Sequence, residues 1–280
     1  MEPRPTAETR REILSFDDGV ASRHNDSVVT EEPLEIRVSI AGRSKTVAVT
    51  MRTPGADFEL AAGFLFGEGV ISRREQVVSI SYCKDDDLPA DQLYNIVIVE
   101  LDPSAEPDLR PLDRHFYVSS ACGVCGKANL EAIALRGVKP LAGGPEVTTD
   151  ILSSLPDALG DSQRVFARTG GLHSAGLFEP AGHLVAGRED VGRHNALDKL
   201  IGWAFLEDRL PLAGHIVMLS GRSSYELAQK CVSAGVPVLC SVSAPSSLAV
   251  DVADRFSMTL VGFLRGKKMN VYAGAERITS

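Results

Sequence analysis

Two cysteines three residues apart, Cys122 and Cys125, sit between glycines in "SSACGVCG", in a chain of 280 residues with 5 cysteines. Three chemistries use such a pair: half of a zinc site, thiol–disulfide exchange, and carriage of a sulfur atom as a persulfide. A closed zinc site wants four ligands, usually from two such pairs. The chain has no second Cys-x-x-Cys and no His-x-x-x-His, and Cys83 with His115 would complete a set only by an accident of folding. No structural metal is therefore expected. A zinc deaminase needs His-x-Glu ahead of its cysteines, and no histidine here has Glu two residues later. After the pair, "GKANLEAIAL" reads as a helix whose positive end would lower the Cys122 pKa, while Gly123 and Gly126 loosen the loop. A mobile thiolate serves redox exchange and sulfur carriage equally, and the spacing does not choose between them.

A second constellation lies downstream, where glycine adjoins Arg, His or Ser after apolar strands: "ARTGGLHSAG", "AGREDVGRHNALDK", "LSGRSSYEL", "SAPSSLA" and "VGFLRGKKMNVY". Glycine turns that open helices present backbone N–H groups to an anion, and Arg188, Arg193, Arg222 and Arg265 could neutralise it. None of these matches a Walker loop or a G-x-G-x-x-G fingerprint, so a nucleotide-like anion is suggested without its identity. Plainer roles exist for several of these residues. Ser223 with Glu226 is a capping box, Asp190 can cap the helix beginning near Gly192, and Arg193 with Asp198 can be a solvated pair. His183 and His215 read as packed or exposed at strand edges. His173 and His194 lie in glycine-flanked loops, where an imidazole can contact a ligand.

The elements that must position these residues read as α/β. Residues 1–25 mix charges and prolines and are expected as a flexible tail, without a signal peptide. "EPLEIRVSIAGRSKTVAVTM" alternates about Gly42 as a hairpin does, and a helix should follow with Thr53 as cap and Pro54 at its first position. "QVVSISY" and "YNIVIVEL" are further strands, giving an α+β part over 26–148 that includes the cysteine loop. The Pro/Gly-rich run 138–150 is the candidate linker. Over 149–280 a hairpin is followed by alternating helices and strands, which implies a sheet covered by helices and ligands at loops after strands. The uncharged stretch Cys231–Val250 holds two prolines and many serines, and so reads as buried core and not as a membrane span. A net charge of −8 argues against nucleic acid as a partner, and the few cysteines suit a reduced cytoplasmic protein.

Taken in order, "TPGADFELAAGFLFGEGVI", "SSACGVCG", "TGGLHSAG", "GREDVGRHNALDK", "SGRSSYEL" and "GFLRGKKMNVY" resemble the motifs of the formate dehydrogenase accessory sulfurtransferases, the FdhD proteins. The resemblance covers nearly the whole chain after the tail. It implies a cytoplasmic sulfurtransferase that takes persulfide sulfur from a cysteine desulfurase on Cys122, with Cys125 as relay or protector. It also implies delivery to a molybdenum bis(pterin guanine dinucleotide) cofactor for formate dehydrogenase, a homodimer, and a second half like the three-layer α/β/α cytidine deaminase fold. The segment matching the family's cofactor-binding stretch is Phe263, Leu264, Arg265, Gly266, Lys267 and Lys268. Arg222, His173, His194, Asp190 and Arg193 are further candidates for the cofactor and its guanine moiety, with Asp190 or Glu189 placed to read a guanine edge. A cofactor chaperone without sulfur chemistry and a general thiol oxidoreductase remain as alternatives.

Overall fold

The computed structural model describes residues 5–83, 89, 93–105, 107 and 138–280, so Cys122, Cys125, His115 and the helix expected after the pair lie outside the described residues. The chain opens with strands β1 (Glu8–Asp17) and β2 (Val20–Val29), an antiparallel hairpin closed by Asp18 and Gly19. The segment expected as a flexible tail is thus a β-ribbon. Both turn residues have positive φ, 46° and 80°, the left-handed pair that an Asp-Gly hairpin turn supplies.

Strands β3 (Glu32–Ile40) and β4 (Arg43–Arg52) form the hairpin expected about Gly42. With β5 (Val77–Tyr82) and β6 (Ile96–Leu101) they make a four-stranded sheet of order β4-β3-β6-β5, in which β3 and β6 run parallel. Helix α1 (Asp57–Gly67) packs its apolar residues on this sheet around Leu34, Ile36, Val97 and Val99. It starts later than expected. Thr53 does not cap it, because the Thr53 hydroxyl accepts from Val191 N (3.3 Å) while Gly55 and Ala56 turn the chain at φ 111° and 55°. Asp57 closes that turn by accepting from Gly55 N at 3.2 Å.

The second half begins with β7 (Val147–Thr148), which pairs in parallel with the C-terminal β14 (Ile278–Thr279). The run expected as a linker is therefore fastened down, and Arg277 adds a bond to Gly143 O at 2.8 Å. Helix α2 (Thr149–Ser162) follows, its first turn capped by Thr148 Oγ1, and a short α3 (Phe166–Thr169) comes next. Then come β8 (His173–Phe178), β9 (Leu184–Asp190), α4 (Arg193–Leu206), β10 (Ile216–Leu219), α5 (Tyr225–Ser233), β11 (Val238–Ser241), α6 (Ser247–Arg255), β12 (Thr259–Arg265) and β13 (Lys268–Ala273). They build a six-stranded sheet of order β13-β12-β11-β10-β8-β9. Strands β10, β11 and β12 are parallel neighbours, as the alternation of strands and helices requires.

Period-two alternation splits this sheet's side chains into two cores. Val217, Leu219, Leu239 and Leu260 face helices α4, α5 and α6, whereas Ile216, Met218, Val238 and Val261 face α2. The result is the three-layer α/β/α arrangement expected. Cys231 and Cys240 are fully buried in these cores, and burial pushes the Cys240 thiol up to about 12, so neither supplies a thiolate. Among the described residues no helix is long and apolar enough to cross a membrane.

Candidate functional site

The parallel strands β10, β11 and β12 end along one edge of the large sheet, and the loops leaving them form a crest. Backbone bonds zip these loops together. Ser246 N donates to Ser223 O at 2.9 Å, Val242 N to Leu219 O at 3.2 Å, and Phe263 N to Ser243 O at 3.1 Å. Because β8 is antiparallel to β10, its first residue His173 reaches the same edge, where it sits opposite Asp190 of β9. Ser220 locks this junction, its N donating to Ser174 O (3.0 Å) and its Oγ accepting from Ser174 N (2.8 Å).

On that crest the structure gathers His173, His194, Arg193 and Arg222. His194 Nε2 lies 3.1 Å from both Ser224 Oγ and Glu226 Oε2. Burial first, then the charges of Arg193, Lys230 and His173, push the His194 pKa down to about 3. The ring is neutral at physiological pH, so its contact with Glu226 is an N–H donated to a carboxylate and not an ion pair. His173 is likewise held below the ordinary histidine value by burial and by Arg193, against the pull of Asp190. Two neutral imidazoles thus border the guanidinium of Arg193, whose Nε is buried without a partner among the described residues. Among the described residues no carboxylate pairs with Arg193 or Arg222, so an acidic protein here gathers unpaired positive charge.

Three plainer sequence readings are corrected at this site. Ser223 is no capping residue: Ser224 occupies the cap position of α5, the Ser223 Oγ is buried without a partner among the described residues, and Glu226 turns to His194. Arg193 does not pair with Asp198, since Asp198 is buried on Lys230 Nζ at 2.6 Å. Asp190 does more than open α4. Fully buried, it binds Lys199 Nζ (2.7 Å), Thr53 N (3.2 Å), Gly192 N (2.9 Å) and Asn195 Nδ2 (3.0 Å), which joins the two halves of the chain and leaves no oxygen for a guanine. Glu189 is also committed, accepting from Val165 N at 3.1 Å and Phe166 N at 2.8 Å.

The remaining candidates lie on β12 and its turn. Gly262 approaches Pro245 and Ser243 so closely that a Cβ would come within 2.9 Å of Pro245 Cδ. A register shift between Gly262 and Arg265 then bulges the strand and turns Phe263 outward, at φ 52° and 43% exposed. A left-handed phenylalanine is sterically costly and clusters at functional positions. Arg265 is aimed by its Nε bond to Val242 O (3.1 Å), and Gly266 (φ 52°) turns the chain into the exposed Lys267 and Lys268. Leu264 is the exception in this stretch. It is fully buried in the α2-side core, so its part is to hold the strand and not to touch a ligand.

Beside the crest on the α2 face is a cleft of about 480 Å³, with Leu159, Phe166 and Leu172 as apolar walls and Gln163, His173 and Ser220 as polar ones. Gln163 and Ser220 are not singled out by residue type or local spacing; the pairing of β8 with β10 brings Ser220 to His173, and the end of α2 brings Gln163 onto Ser174 Oγ. Lys199 and Lys230 carried a usable signal, being lysines on the apolar faces of helices. They form buried ion pairs instead of ligand contacts, Lys199 with Asp190 at the end of β9 and Lys230 with Asp198 of α4.

Fold and site together define an α/β protein with a cationic, glycine-turned crest at its strand ends, suited to a polyanionic ligand. Residues 29–279 match the model of the FdhD/NarQ family. The chain belongs to that family. It is 52% identical over 272 residues to the sulfur carrier protein FdhD of Streptomyces coelicolor, covering 96% of this chain and 95% of that one. The sulfur carrier protein FdhD of Mycobacterium tuberculosis is 50% identical over 278 residues, 98% of this chain and 99% of the relative. Among solved structures, a formate dehydrogenase accessory protein from Desulfotalea psychrophila superposes with a TM-score of 0.74 at 26% identity, over 98% of this chain and 100% of that one.

Proposed function

We propose that this protein is a cytoplasmic sulfur carrier for formate dehydrogenase maturation. It accepts persulfide sulfur from a cysteine desulfurase on Cys122 and delivers it to a molybdenum bis(pterin guanine dinucleotide) cofactor held on the crest. The observation that carries this reading is the positive crest of Arg193, Arg222 and Arg265, unpaired with any carboxylate among the described residues, on a chain of net charge −8 and in a relative of proteins named sulfur carriers. In the loading step the Cys122 thiolate attacks the outer sulfur of the donor persulfide. A new S–S bond forms, the donor S–S bond breaks, and the donor cysteine leaves as thiolate with no net redox change. Cys125 can instead attack the loaded Cys122, expelling hydrosulfide and leaving a disulfide, which is why its placement as guard or relay matters. Arg222, Arg265, Lys267 and Lys268 supply charge for the cofactor's phosphates, and Phe263 offers an exposed ring for stacking on a heterocycle. A homodimer would present two equivalent crests to the two guanine ends.

Incubation with a cysteine desulfurase and cysteine, followed by peptide mass measurement, is expected to show added sulfur on the peptide bearing Cys122; a peptide of unchanged mass overturns the sulfur-carrier reading. A Cys122→Ala variant that still yields active formate dehydrogenase would point to a cofactor chaperone instead. Titration calorimetry with GDP tests the crest separately, and Arg222→Glu should weaken that binding while leaving sulfur loading intact.

A further inference from the structure

Among the described residues the ribbon β1–β2 is anchored only at its base. There Val29 packs against Gly171, Thr9 and Thr30 share a hydroxyl bond of 2.7 Å, and Glu8 pairs with Arg168. Toward the turn Leu14, Phe16 and Val20 are 50%, 69% and 71% exposed. A two-stranded ribbon of this length, about 33 Å at roughly 3.3 Å per residue, is marginal in water when nothing covers it. The family match begins at residue 29, so the arm precedes the part of the chain that defines the family.

The register tells which backbone groups are free. Asp17 faces Val20 across a two-residue turn, and such a pair exchanges both of its hydrogen bonds. Odd-numbered residues of β1 therefore bond to β2, a parity that Thr30 N to Ala7 O (2.9 Å) continues. Arg10, Glu12, Leu14 and Phe16 turn their N–H and C=O groups to the outer edge, which no other strand among the described residues joins.

That edge is complementary to itself. Placed antiparallel against a second β1 with the two-fold axis at Leu14, each Leu14 faces Leu14, Glu12 faces Phe16, Arg11 faces Asp17 and Arg10 faces Asp18. Each copy of Phe16 then lies diagonal to the opposing Leu14, so Leu14 and Phe16 of the two arms meet on one face. Arg10, Arg11, Asp17 and Asp18 have no ion-pair partner among the described residues, and the pairing would engage all four in each copy. Shifting the axis by one residue breaks this match, because Arg11 then faces Ser15 or Gly19.

We infer that β1 is a dimerisation edge that pairs with β1 of a second copy of this chain, joining two arms into a four-stranded ribbon with its two-fold axis at Leu14. This supplies a surface for the homodimer proposed above and rests on that dimer, but not on the sulfur chemistry. Residues that face each other in a hydrogen-bonded antiparallel pair lie about 5.5 Å apart at Cα, within the span a disulfide bridges. Leu14→Cys should consequently form a covalent dimer under mild oxidation, well above the background set by the native cysteines in the unaltered chain, whereas Ser22→Cys on β2 should not. Arg11→Asp should weaken association on the order of tenfold in sedimentation across a concentration series. Adding Asp17→Arg to the same chain should restore it, with circular dichroism confirming the fold throughout. Absence of the Leu14→Cys cross-link, or a dimer indifferent to Arg11→Asp, overturns the arm pairing while leaving a dimer through another surface. A monomer at every concentration overturns both, and neither result bears on the persulfide mass measurement.

Discussion

Phe263 and His194 each hold a state that an isolated residue would avoid. At φ 52° the Phe263 side chain crowds its own backbone, a conformation that costs a non-glycine residue about 1 kcal/mol. Phe263→Gly should therefore be more stable than Phe263→Ala by about 1 kcal/mol in denaturant unfolding, while both lose affinity for GDP in calorimetry. If the ring were merely tolerated, affinity would not change. His194 stays neutral because its folded-state pKa is depressed from 6.5 to about 3. Between these values the unfolded chain binds the extra proton, so the stability due to this group is present above pH 6.5 and lost as the pH falls toward 3. Asp198, raised by burial to about 6, works in the opposite sense between its unfolded value of 3.8 and pH 6. The useful quantity is hence a difference: the denaturation midpoint should drop less between pH 7 and pH 5 in His194→Gln than in the unaltered chain.

Among the elements, the crossing of α1 and α4 sets how the two halves meet. Gly63 and Gly202 bring these helices so close that a Cβ on Gly63 would lie 1.9 Å from Asp198 O, and one on Gly202 would lie 1.8 Å from Glu59 O. Backbone is the obstacle in both cases, and backbone cannot swing aside as a side-chain tip can. Gly63→Ala and Gly202→Ala should each destabilise by about 3 kcal/mol or more despite alanine's better helix propensity, read as a lowered urea midpoint. Around the crossing, Arg188 holds Glu59 at 2.8 Å and lies 5.7 Å from the Trp203 ring centroid. Local signals marked both helices but not their contact. The pattern of Phe58, Ala61, Phe64 and Leu65 announces a helix, and only the fold explains why glycines sit inside it. The displaced start of α1 has the same origin: Thr53 and Pro54 carry a good local start signal, and a tertiary bond to Val191 overrides it.

For the whole molecule, period-two alternation and strand–helix rhythm made the two sheets and the three layers of the second half legible, since burial of one face is a local property of sequence. Long-range pairing was not. The β7–β14 stitch and the cleft walls Gln163 and Ser220 depend on partners far away in the chain. Asp190 shows the limit most clearly: beside glycine and arginine it reads as a ligand contact, yet it is the buried link between halves. Its partner Lys199 also bonds Thr53 O at 2.9 Å, so one carboxylate and one ammonium hold the segment leading to α1 against the start of α4. Lys199→Met leaves the Asp190 charge buried with backbone and amide donors alone, and should cost about 3 kcal/mol. Asp190→Asn with Lys199→Met removes both charges and should cost less than the sum of the single changes, the signature of direct coupling. Trp203 on α4 is the chain's single tryptophan and stands at this junction. In the unaltered protein its fluorescence should change at the same denaturant concentration as the far-ultraviolet circular dichroism, because the two halves unfold together. In Lys199→Met the fluorescence change should come first, as the junction opens before the cores; coincident curves would show that the helix crossing alone keeps the halves joined.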